Sequence, residues 1–302
     1  MADSVIDGRA GQRAGEAPQA STDAPAARAA QENFPVALRL MPRRQREHLM
    51  AVYVYARTVD DIGDQAPPAD RPRLLAEVEQ AVRSLYDEGA GGGQGRREHV
   101  PPAVSGLART VSECALPVQP LLDLIRANQQ DQVVTRYQGF DDLARYCELS
   151  ANPVGRIVLH VFGCYDQARA AQSDLICTGL QLAEHWQDVA EDLRAGRIYL
   201  PLDDLAEHGC TEADLAAPRA GPAVRRLVAA GVARARELID AGAPLTGSLR
   251  GSARAAVAGY VAGGRAALAA IAAADYDVLS ATRRPGRTRT AAELLAAYAR
   301  GR

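Results

Sequence analysis

Lysine does not occur in this chain; all 35 basic residues are arginine. That absence excludes a Schiff-base lysine and the lysine of a phosphate-binding P-loop. Cysteine is sparse, and Cys114, Cys147, Cys164, Cys177 and Cys210 are odd in number with no CxxC pair. Neither a disulfide framework nor a zinc site is indicated, and the five read as reduced, mostly buried cytosolic thiols. Charge of one sign is lacking too, since 35 basic against 37 acidic residues leave a formal net charge of −2. No basic field therefore draws the chain to nucleic acid. An unbroken run of about 18 apolar residues is absent, which predicts no membrane-spanning helix. The N-terminus has no basic-then-apolar signal pattern.

Strand-like alternation is missing throughout, and the apolar residues recur at helical spacing. The 302 residues are 47% apolar with no internal linker, which predicts one large core. Residues 1–30, rich in Ala, Gly, Gln and Asp, predict a disordered tail ahead of a domain at 31–302. Pro42 suits a helix start, and a first helix is predicted from Arg43 to Gln65. Further helices are expected at about 73–87, 103–114 and 118–133. Another opens at Asp141 and is broken at Asn152 and Pro153. The last four are expected at 173–195, 222–241, 250–274 and 290–300. The glycine tract Gly89–Gly95 reads as flexible, because no strand precedes it and no GK[ST] follows. The fold class is all-α, a many-helix bundle with its site inside.

Two stretches carry chemistry. Val52–Gln65, VYVYARTVDDIGDQ, holds Arg57 and a cluster of Asp60, Asp61 and Asp64. On a helix Asp60 and Asp64 stack on one face, roughly 6 Å apart along the axis. Like charges so placed weaken a helix unless a cation neutralises them, and hard oxygen ligands of this kind suit Mg²⁺. Arg57 adds a guanidinium matched to phosphate oxygens. A solvated acidic helix end is the plainer reading of that stretch by itself. The second stretch, Gln181–Pro201, repeats the pattern with Asp188 and Asp192, with Gln181 and Glu184 on the same side and Arg194 and Arg197 following. Two such helices, facing one another, are able to hold a diphosphate between them through bridging metal ions.

These tracts resemble the squalene/phytoene synthase family of head-to-head prenyl synthases. DDIGD (Asp60–Asp64) and DVAED (Asp188–Asp192) are similar to its two aspartate-rich motifs, and YCELSANPVGR (Tyr146–Arg156) to its third signature. The resemblance covers about residues 31–300. Within the family, ENFPVALRLMP (Glu32–Pro42), SANPVGR and WQDV (Trp186–Val189) look most like the bacterial hydroxysqualene synthases of hopanoid pathways.

The resemblance implies a class I isoprenoid synthase bundle with a central cavity. Mg²⁺ would be held by Asp60, Asp64, Glu184, Asp188 and Asp192, and Tyr146 would be a polar or proton-transfer participant. It also implies substrate contacts from Arg57, Tyr53, Gln181, Gln187, Arg197, Tyr260 and Arg284, and an apolar wall that includes Phe34, Phe162 and Trp186. The implied reaction turns presqualene diphosphate into hydroxysqualene by controlled entry of one water, and Glu184, Gln187 and Tyr146 are the candidates for holding it. Cytoplasmic placement, transient contact with a membrane surface and partner enzymes of the hopanoid pathway follow from the same resemblance. Residue by residue, packing alone is the competing reading for Tyr146, and solvation for the basic cluster Arg283, Arg284, Arg287 and Arg289.

The chain departs from the family pattern in three places. Glu184 stands where Asn is common, Gln187 where many members have Arg, and Gln31, Glu32 and Asn33 replace a Ser-rich phosphate contact. The competing functions are a condensation giving presqualene diphosphate, squalene or phytoene, and a non-catalytic helical assembly protein.

Overall fold

Pro42 starts the first helix as expected: with ψ at 146° it lies outside the helix, and its carbonyl accepts the first hydrogen bond, from Arg46 N at 3.1 Å. The computed structural model describes residues 41–87 and 100–280. The predictions for the 1–30 tail, Gln31 to Leu40 with Phe34, the glycine tract, the 290–300 helix and the basic cluster with Arg284 lie outside the described residues. Fourteen helices are found among the described residues. In chain order these are α1 (Arg43–Gln65), α2 (Arg71–Asp87), α3 (Pro102–Ser105), α4 (Ala108–Glu113), α5 (Val118–Gln130), α6 (Phe140–Ser150) and α7 (Asn152–Val161). There follow α8 (Gln167–Gln187), α9 (Val189–Arg194), α10 (Leu202–Glu207), α11 (Glu212–Leu215), α12 (Pro222–Gly242), α13 (Leu245–Ser248) and α14 (Gly251–Ala273). No strand occurs among the described residues; one isolated parallel bridge joins Arg136 and Ile198.

The all-α expectation holds, with differences in where helices stop. The segment expected at 103–114 is two short helices, because the chain turns at Gly106 and Leu107. Asp142, not Asp141, closes the start of α6 by accepting from Gly139 N at 3.2 Å. The break at Asn152 is real: α6 ends at Ser150, and Pro153 sits in the first turn of α7, where its missing N–H costs nothing. The helix expected at 173–195 begins earlier, at the Asp166 cap, and breaks at Asp188, whose ψ is 14°. Asp192 N still donates to Asp188 O at 2.8 Å, so the spacing of the second aspartate pair survives the break.

Two apolar clusters make the interior. One gathers α1, α2, α5 and most of α7; the other gathers α6, α8, α12 and α14 around Trp186 and Leu182. Phe162 and Tyr260 pack against both. Side chains as large as Trp186 contribute roughly 2–3 kcal/mol each by leaving water. The α8 and α12 backbones approach closely because glycine allows it; a Cβ on Gly179 would meet the Ala235 carbonyl oxygen at 2.8 Å.

One helix bears on the expectation of no membrane-spanning segment. α14 is long and apolar enough to cross a membrane, with mean hydropathy 1.4, although Arg254 and Arg265 interrupt it. It is 67% buried within the protein along that window, which is the pattern of a core helix.

Candidate active site

The aspartate pairs, 124 residues apart in sequence when counted from Asp64 to Asp188, line one cavity of about 300 Å³. Asp60 and Asp64 come from α1, whose buried stripe of Leu49, Val52, Tyr55, Val59 and Gly63 faces the core. That stripe fixes the rotation of the helix and leaves both carboxylates at the cavity. Asn128 of α5 donates to Asp60 Oδ1 at 3.1 Å. Gln181, Glu184 and His185 line the cavity from α8, Asp188 from the break between α8 and α9, and Asp192 from α9. Arg197 and Tyr199 come from the segment after α9, which is tied to the loop before α6. Ile198 N donates to Thr135 O at 3.0 Å, and Arg136 grips Glu212 at 2.7 and 2.9 Å and the Gly196 carbonyl at 2.8 Å.

Charge in the cavity is one-sided. Six carboxylates line it, those of Asp60, Asp64, Asp131, Glu184, Asp188 and Asp192, and Arg197 is the one guanidinium among the described lining residues. Arg197 Nη1 donates to Asp64 Oδ1 at 3.0 Å. Its Nε, like the Ser150 hydroxyl, is buried without a hydrogen-bond partner in the protein. Asp60 is open to the cavity yet has protein on most sides, and burial raises its pKa, with Asp64 and Asp61 adding to the rise against Asn128 and Arg57. Burial likewise pushes Asp192 up to about 7 against the pull of Arg197, and Asp131 up to about 6. His185, stacked on Tyr199 with ring centroids 3.8 Å apart, is held neutral: burial and the Arg197 charge bring it down to about 3.

The cavity thus gathers Asp60, Asp64, Tyr146, Gln181, Glu184, Asp188, Asp192 and Arg197 of the residues singled out in the sequence. Tyr53 and Arg57 sit on the α1 stripe that carries Asp60 and Asp64, one to two turns earlier, outside the cavity lining. Arg57 is paired with Asp61 at 2.9 Å. Gln187 does not line the cavity; it is 5% exposed and lies about 100° around α8 from the lining stripe. Trp186 is 1% exposed on the core side, with its indole against Gly231. Tyr260 and Phe162 fill space between the two apolar clusters, and burial pushes the Tyr260 hydroxyl up to about 12. Asn128, Asp131, Ser150, His185 and Tyr199 line the cavity without having been singled out. Asp131 and Tyr199 had no pattern to mark them, whereas His185 adjoins Glu184 and follows Gln181 by one helical turn.

An all-helical bundle whose cavity is walled by two aspartate-bearing helices is the architecture of a class I isoprenoid synthase. The squalene/phytoene synthase family model matches residues 27–291, and the chain belongs to that family of enzymes. It is 34% identical over 220 residues to the hydroxysqualene synthase of Rhodopseudomonas palustris, covering 72% of each chain. With phytoene synthase 2 of Oryza sativa subsp. japonica it shares 30% identity over 277 residues, 89% of this chain and 67% of that one. Among solved structures it is similar to squalene synthase HpnC from Alicyclobacillus acidocaldarius, with 39% identity and a TM-score of 0.74 over 84% of this chain and 94% of that chain.

Proposed function

We propose that the protein converts presqualene diphosphate to hydroxysqualene with release of diphosphate, using Mg²⁺, in squalene and hopanoid biosynthesis. The observation that carries this reading is the single cavity shared by Asp60, Asp64, Asp188 and Asp192, with Arg197 among them. Mg²⁺ takes one or two carboxylates and completes its shell with phosphate oxygens and water. Asp60, Asp64, Glu184, Asp188 and Asp192 are the residues that would hold it. When bound, Mg²⁺ supplies neutralisation of the charge that develops on the leaving diphosphate.

The chain's own groups do the rest. Arg197, the guanidinium lining the cavity, offers a charge-assisted bond to a diphosphate oxygen, which orients the leaving group. The Tyr146 and Tyr199 rings, 5.5 Å apart, are part of the cavity wall, and aromatic rings so placed are able to stabilise a cation. Arg57, Arg284, Tyr53, Gln181 and Tyr260 are assigned to substrate contact on the family resemblance. A substrate and product this apolar make contact with a membrane surface part of the proposal.

The hydroxysqualene synthase relatives support this product, and the phytoene synthase relatives support the second reading, condensation of two prenyl diphosphates. Turnover of presqualene diphosphate with Mg²⁺ in ¹⁸O-water, without NADPH, separates them. The expected result is one pyrophosphate released per alcohol formed, the alcohol carrying ¹⁸O. Unlabelled alcohol, a product that requires NADPH, or phytoene from geranylgeranyl diphosphate would overturn the hydroxysqualene assignment.

A further inference from the structure

Asp131 belongs to neither aspartate pair. It follows the last turn of α5, lines the same cavity, and binds two phenols at once: Tyr146 Oη donates to one of its oxygens at 2.7 Å and Tyr199 Oη to the other at 3.2 Å. Burying a carboxylate is costly unless it is well hydrogen-bonded or paired. A guanidinium would pair with it more strongly, yet its hydrogen-bond donors are phenols and Arg197 acts on it only as a nearby charge. Phenols have one property that a guanidinium lacks. A phenol gives up one proton while its oxygen accepts another, so it passes protons on.

We propose that Asp131 is the proton acceptor behind Tyr146, and that the pair holds the attacking water and carries its proton away. The proposal rests on the hydration reading above. Tyr146 touches the water; Asp131 acts through it and is a positioning residue. As the water oxygen gives an electron pair to the cationic carbon, a C–O bond forms and one O–H bond of the water breaks. That proton passes to Tyr146 Oη, whose own proton passes to the Asp131 oxygen it already faces at 2.7 Å. Diphosphate has left in the earlier step, and nothing is oxidised or reduced. Tyr199 fixes the second carboxylate oxygen, so the first stays aligned with Tyr146.

The surroundings suit an acceptor. Around Asp131 stand Asp64 from α1, Tyr137 from its own loop, Tyr146 from α6, Asp192 from α9, and Arg197 and Tyr199 from the following segment, and the cavity they share also holds Asp60, His185 and Asp188. Burial makes this carboxylate more basic than an ordinary one while leaving it mostly ionised at neutral pH. Tyr146, by contrast, is held well above the usual phenol range by burial and by Asp131, so it serves as a conduit and not as a stored base.

The test is product partition with presqualene diphosphate and Mg²⁺, comparing wild type with Asp131→Asn, Tyr146→Phe, the double variant and Asp131→Glu. In Asp131→Asn the alcohol should fall by about a hundredfold, the scale of general base catalysis, with KM unchanged and elimination hydrocarbons in its place. Tyr146→Phe should do the same, the double variant should be no worse than either single one, and Asp131→Glu should recover part of the alcohol. An unchanged alcohol share in Asp131→Asn, or losses that multiply in the double variant, would overturn the relay. Tyr146→Phe keeps the buried ring and carries the test if Asp131→Asn does not fold; an unchanged alcohol share there overturns the relay equally. A wild-type enzyme that makes no alcohol defeats the hydration reading itself, whereas wild-type alcohol with an unaffected Asp131→Asn defeats the relay alone.

Discussion

Arg197 and Asp64, 133 positions apart, meet across the cavity at 3.0 Å and join the two aspartate-bearing halves of the site. The Arg197 side chain is 22% exposed and that of Asp64 is 53% exposed, so the pair stands in partly solvated surroundings. Its worth to stability is accordingly small, on the order of 1 kcal/mol or less. Its worth to the site is larger, because it is the lining guanidinium among six carboxylates. Arg197→Ala should leave the melting temperature within a few degrees of wild type but raise KM by about tenfold, the loss of one charge-assisted bond to a diphosphate oxygen. Steady-state kinetics on presqualene diphosphate, with circular dichroism as the folding control, checks it; an unaltered KM removes Arg197 from substrate binding.

Asp60→Asn and Asp188→Asn should each lower turnover by at least about a hundredfold with the fold intact, since each removes a charged oxygen from a site that works electrostatically. The same variants should lose a thermal response that wild type shows. Mg²⁺ and inorganic pyrophosphate together should raise the wild-type melting temperature by mass action on the native state. Thermal shift with both, with each alone and with EDTA reads this out, and the absence of any shift at saturation counts against a preformed site.

His185 sets an acid limit. Its pKa falls from 6.5 unfolded to about 3 folded, so between those values the unfolded chain binds a proton that the native one refuses. Stability therefore drops as pH falls through that window, at about 1.4 kcal/mol per unit for a single group. Asp131 and Asp192, raised to about 6 and about 7, act with the opposite sign: the penalty for burying their charge is relieved as they protonate. Those carboxylates are common to wild type and His185→Phe, so the difference between the two curves isolates the imidazole. Melting temperature from pH 7 to pH 4 should fall less steeply in His185→Phe, which keeps a ring against Tyr199; parallel curves would show that His185 titrates normally.

Gln187→Leu should lower the melting temperature and leave the alcohol share of the product unchanged, because this side chain is buried about 100° around α8 from the cavity stripe. Product analysis by mass spectrometry decides it. A switch to hydrocarbons would return Gln187 to the water-holding role expected of it from the sequence.

How much was legible in the sequence follows from the range of the forces involved. Asp60, Asp64, Asp188 and Asp192 were visible because a spacing of four on a helix is a local property, and the α1 boundaries because Pro42 at its start and Pro67 just after its end act locally. The break at Asp188 was hidden, since no proline or glycine marks it. Asp131 and Tyr199 were hidden for a different reason: each looks ordinary until the loops at 135–138 and 196–203 are laid side by side by hydrogen bonds between them. Gln187 is the opposite case. A residue-type signature picked it out, and only the rotation of α8, set by Leu182, Trp186 and the glycines of α12, tells which way it faces.

The grip of Arg136 on Glu212 and Gly196 has a consequence for how such a sequence can drift. Glu212 is half exposed, on a one-turn helix, and is not among the residues that line the cavity. Ordinarily such a position is free to vary. Here its carboxylate steadies the arginine that holds the segment bearing Arg197 and Tyr199, so a change at the surface is felt in the cavity as a loosened cation and a misplaced phenol. Positions 136 and 212 should therefore be inherited as a pair, with acid and guanidinium exchanged together or lost together, and a lineage that loses only one should repair it nearby.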